Sequence, residues 1–90
     1  SRLSRNGIGW AHMLQGDLVA ALAQFREVRT ECEQAHDELH RPMALTGLGI
    51  ALGYHGDVDA ALATAREALD GAAALGEFFV GLANAQLSQA

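Results

Sequence analysis

Ninety residues, half of them apolar and dominated by Ala and Leu with a single Pro, suit one small helical domain and leave little room for strands or disorder. Six basic residues, all Arg, stand against eleven carboxylates, and the net charge of -5 disfavours nonspecific attraction to nucleic acid or to an anionic membrane. The lone Cys32 excludes an internal disulfide, and the longest uncharged run, Pro42 to Gly56, is broken by four glycines and is too short to span a bilayer.

In chain order, Leu3, Ile8, Trp10, Ala11, Met13 and Leu14 recur with a helical rhythm, with Gly7 and Gly9 inside it. An interior Gly costs a helix about 1 kcal/mol relative to Ala, which is tolerable where a second helix must approach closely. Gly16 supplies a left-handed helix end, and the Asp17 carboxylate can cap the amides of the next helix. That second helix is expected from about Leu18 to about Ala35, with Leu18, Leu22, Phe25, Val28 and Cys32 on one packed face.

His36 to His40 reads as a polar connector, and Pro42 fits the first turn of a third helix running to about Tyr54. His55-Gly56-Asp57 repeats the earlier turn. A fourth helix, about Val58 to Leu75, is expected to turn Ala61, Leu62, Ala65, Ala68, Leu69 and Ala72 inward. Gly76 is expected to end it, and a fifth helix to run through Phe78, Phe79, Leu82 and Leu87.

The chain repeats itself. Residues 7 to 27 and 47 to 67 share 11 identities, including both outer glycines, the Gly-Asp turn, the Ala-Ala-Leu-Ala run and an Arg-Glu pair. Paired helices at a fixed period point to a stacked array, in which each hairpin needs a neighbour to bury its apolar face. The units are repeat 1 at about 3–36, repeat 2 at about 41–76, and the first helix of a third repeat at about 77–90. At that last joint Phe79, Leu82 and Ala83 fit a 34-residue step and Leu75-Gly76-Glu77 a 40-residue one, which is favoured here.

The spacing resembles the tetratricopeptide repeat: Leu48-Gly49, Leu52, Gly56, Ala61, Ala65 and Ala68 in the second copy, and Ile8-Gly9, His12, Gly16, Ala21, Phe25 and Val28 in the first. Leu52 and His12 stand where the family has Tyr, Ala65 replaces an aromatic, and no Pro closes the second helix. The resemblance implies an all-α solenoid of antiparallel hairpins, about five helices in a right-handed superhelix. The 40-residue form is similar to arrays in kinesin light chains, cell-polarity adaptors and the sensor arms of bacterial LuxR-type ATP-dependent transcription regulators. The Ala, Gly and Arg bias favours the last.

The resemblance also implies a concave wall built from the first helix of each pair. It assigns Asn6, Trp10 and Met13 from the first copy and Thr46, Ile50 and Tyr54 from the second to one strip that takes a protein, a peptide or a small effector. Ordinary packing between Trp10 and Ile50 is the competing reading. Phe78, Phe79, Leu82 and Leu87, with no following helix, make self-association into a homo-oligomer the alternative function.

Chemistry is not expected. His36 and His40 have the spacing of helical zinc ligands, with Glu33 and Asp37 near. They fall in the connector, however, and Gly76 and Val80 stand at the matching positions of the second copy. A metal-dependent enzyme is therefore the remote alternative, and no metal or cofactor is expected. Cys32 reads as a small buried hydrophobe, and no nucleophile elbow or phosphate loop occurs. A cytoplasmic, non-catalytic binding segment of a larger bacterial signalling protein, touching neither nucleic acid nor membrane, is the reading that follows.

Overall fold

A computed structural model describes residues 1–89, with the side chains of Leu87 and Gln89 excepted. The described residues form four helices and no strand: α1 (Arg2–Leu14), α2 (Leu18–Gln34), α3 (Arg41–His55) and α4 (Val58–Gln89). The fold class is all-α, and among the described residues no helix is long and apolar enough to cross a membrane.

The two Gly-Asp turns are built alike. Gly16 and Gly56 take φ of +79 and +95, the left-handed region in which a Cβ is strained. The following amides reach back over the helix end, Asp17 N–H to the His12 carbonyl at 2.9 Å and Asp57 N–H to the Leu52 carbonyl at 3.0 Å. The carboxylates then cap the next helix, Asp17 accepting from Ala20 N–H at 3.1 Å and Asp57 from Ala60 N–H at 3.3 Å. Between α2 and α3 the left-handed position falls on His36, at φ +54, and Asp37 N–H donates to the Cys32 carbonyl at 2.8 Å.

These turns fold the chain into two hairpins. Helix α1 packs on α2, α2 on α3 and α3 on α4, and the leading helices α1 and α3 also touch. The core centres on Phe25, fully buried with Ala21, Leu22, Leu48, Ala51 and Leu52. Its ring fills a slot made by missing side chains: a Cβ at Gly9 would lie 2.6 Å from Phe25 Cε1, and one at Gly47 2.5 Å. The interior glycines of α1 and α3 thus let one aromatic ring wedge between three helices. Val28, Cys32 and Ala44 continue the core toward the connector. Ion pairs lace the same end: Arg5 with Glu31, Arg2 with Asp37 at 3.3 Å, and Arg41 with Glu67 at 3.1 Å.

Two expectations are corrected. The break at Gly76 does not occur, so there is no fifth helix among the described residues; α4 continues without interruption as a 32-residue helix. Position 77 is Glu, whose longer side chain does not replace the short N-cap carboxylate that follows Gly16 and Gly56. The inward face expected of the fourth helix is also largely open. Of those six residues only Ala68 is buried, while Leu62 and Leu69 are 67% and 71% exposed.

Candidate functional site

Two apolar grooves flank α3. The first lies where the α1–α2 turn meets the C-terminal half of α3; it encloses ≈ 570 Å³ and is lined by Trp10, Met13, Leu14, Gly16, Leu18, Ile50 and Tyr54. Its floor is core-supported, because Trp10 packs edge-to-face on Phe25 with centroids 5.6 Å apart at 73°, and Met13 rests on the same cluster. Its far wall is free, with Tyr54 74% exposed. A ring held by the core beside an exposed one offers a large apolar surface, and the held ring adds little ordering cost on binding.

Four of the six residues expected to form one strip, Trp10, Met13, Ile50 and Tyr54, therefore meet in this groove. Trp10 packs against Phe25 of the core and also lines the groove beside Ile50. Asn6 does not belong to the strip: it is buried, 6% exposed, and its Oδ1 has no hydrogen-bond partner. Thr46 faces the other groove, its hydroxyl donating to the Pro42 carbonyl at 2.8 Å. Leu14 and Leu18 are not in the expected strip, Leu18 being assigned to the packed face of the second helix; they flank the turn at Gly16 and line the groove with Ile50.

The second groove, ≈ 590 Å³, runs between α3 and α4. On the α3 side stand Pro42, Met43, Thr46, Gly49 and Ile50, and on the α4 side are the residues expected to be inward. Subtracting 40 from Ala61, Leu62, Ala65, Ala68 and Ala72 gives Ala21, Leu22, Phe25, Val28 and Cys32, all buried on α2. The groove is thus the second-repeat counterpart of the surface that α3 covers on the first repeat. Phe78 and Phe79, paired edge-to-face at 5.6 Å, lie further along α4 and are exposed, as are Val80 and Leu82. Leu87, expected to join them, has a side chain outside the described ones.

Tyr54 in one groove and Thr46 in the other carry polar side-chain groups in a largely apolar lining. Cys32 is fully buried, and burial, reinforced by Asp37, pushes its thiol above the ordinary range, the opposite of what a nucleophile needs. His40 is engaged locally, its Nδ1 2.8 Å from Asp37 Oδ2. Among the described residues no three His, Cys, Asp or Glu side chains stand together as a metal would require.

These features define an all-helical chain of two stacked hairpins with open apolar grooves on either side of its third helix. No protein family, curated protein or solved structure matches it.

Proposed function

We propose that the chain is a non-catalytic binding module, a tetratricopeptide-like array segment that takes up an apolar partner surface in the groove between Trp10 and Tyr54. The observation that carries this reading is the meeting there of four residues, two of them aromatic, drawn from equivalent leading helices of the two repeats. The groove's size falls within the span of roughly 300–1,000 Å³ usual for ligand sites, and its apolar lining favours a leucine-rich helix face or a hydrophobic effector over a charged ligand. Repeated Gly-Asp connectors and a composition without Lys support placing the array in the sensor arm of a bacterial LuxR-type transcription regulator. There, occupancy would shift the parent protein by the difference in affinity between its two states.

Trp10 is the chain's single tryptophan, so its emission reports on the groove directly. Titration with an amphipathic peptide bearing leucines at i, i+3, i+4 and i+7 is expected to shift that emission to the blue. Tyr54→Ala should weaken the effect about tenfold, as loss of an interface anchor does. Emission that does not respond, or equal affinity in the variant, removes this groove as the site.

A further inference from the structure

The α3–α4 groove, counterpart of the surface that α3 covers on the first repeat, is open among the described residues, and the same α4 carries an exposed apolar stripe beyond it. Steps of three, four and three residues lead from Ala72 to Leu75, Phe79 and Leu82 in one direction, and to Leu69, Ala65 and Leu62 in the other. The spacing is therefore a palindrome about Ala72. Alternating steps of three and four keep a stripe on one face of a helix and are the spacing by which two helices interlock. Every stripe residue apart from half-buried Leu75 is exposed, and the nearby charges Arg66, Glu67, Asp70 and Glu77 fall outside the stripe.

We infer that two copies of this chain pair through α4, antiparallel about a two-fold axis at Ala72, each laying the half beyond Leu75 into the α3–α4 groove of the other. In that register Leu75 meets Leu69, Phe79 meets Ala65 and Leu82 meets Leu62, and the reciprocal set forms on the other side of the axis, as a closed two-fold interface requires. The stripe is about 30 Å long at 1.5 Å per residue. Two observations select a second copy as occupant. First, α4 is one unbroken helix, so its distal half cannot turn back into its own groove. Second, the groove lacks an aromatic ring that the distal half supplies. On the covered face of α2 in the first repeat stands the buried ring of Phe25; the matching position on α4 is the exposed Ala65, and the paired register sets Phe79 of the other copy opposite it. This inference does not depend on the Trp10 groove, although Ile50 borders both.

Light scattering and sedimentation of the 90-residue chain over a range of concentrations are expected to give a dimer. Leu69→Asp should weaken it by about 100-fold, since a carboxylate would be buried without a partner, while circular dichroism reports unchanged helix content. Orientation is read by oxidation in a Cys32→Ser background: Ala72→Cys lies on the axis and should form a covalent dimer with itself, whereas Leu82→Cys should not. A monomer at all concentrations overturns the inference. So does an open-ended polymer, a dimer unaffected by Leu69→Asp, or self-crosslinking at Leu82 equal to that at Ala72, which would mean parallel pairing.

Discussion

At the scale of single residues, the first hairpin and α3 are held in register by one ring and by the side chains withheld around it. Phe25 occupies the volume that Cβ atoms at Gly9 and Gly47 would claim, whereas a Cβ at Gly7 would meet nothing within 4 Å. Glycines that look interchangeable in the sequence therefore differ in sign when substituted. Gly47→Ala is expected to cost about 1–3 kcal/mol, the overpacking at Phe25 outweighing the gain in helix propensity. Gly7→Ala, exposed and in mid-helix, should instead stabilise by about 0.5–1 kcal/mol. Chemical denaturation of the two variants decides the matter; equal shifts would mean that Phe25 is not wedged as described. The helical rhythm already suggested that these glycines serve close approach. Which of them touch the ring was not legible, because that depends on where α3 crosses α2.

At the scale of elements, the repeat and its turns could be read directly from the sequence. Gly16-Asp17 and Gly56-Asp57 each combine a residue suited to a left-handed φ with a short carboxylate suited to capping, and both turns form as expected. The third glycine position misled because half of that signal is missing. Gly76 is followed by Glu77, and the helix runs through it. The inward face assigned to the fourth helix misled for a different reason: periodicity identifies an apolar face but not whether anything covers it, and Leu62 and Leu69 look onto an open groove. That Trp10, Met13, Ile50 and Tyr54 line one groove follows from their shared register; Asn6 and Thr46 share it too, yet one sinks into the core and the other turns to the opposite side of α3. Substituting two glycines tests the helix boundary. Gly76→Ala, helical and with no atom near its Cβ, should stabilise by about 0.5–1 kcal/mol, while Gly56→Ala, at φ +95, should destabilise by about 1 kcal/mol. Thermal denaturation that showed both variants to be destabilised alike would restore the turn at Gly76 and, with it, a fifth helix.

At the scale of the whole molecule, the hairpins are tied together at one end by charges as well as by the core. Arg2 on α1, the connector's Asp37 and His40 at the head of α3 converge there. The Asp37 carboxylate accepts the backbone N–H of His40 at 3.1 Å, faces the His40 ring at 2.8 Å and pairs with Arg2 at 3.3 Å. The backbone hydrogen bond, more than the ring or the guanidinium, holds this carboxyl below the usual carboxylate range, against an opposing effect of burial. A group whose folded-state pKa is depressed stabilises the fold above its unfolded value, about 3.9 for Asp, and loses that contribution as pH falls through the folded value. The wild-type chain should thus lose stability more steeply below about pH 4 than Asp37→Asn does, while exceeding the variant at neutral pH. Urea midpoints across that range check it: the gap between the two proteins should close as the pH falls. A gap that stayed constant down to acid pH would show that Asp37 acts through its shape and not its charge, leaving the joint between the hairpins to the apolar contacts of Val28, Cys32 and Ala44.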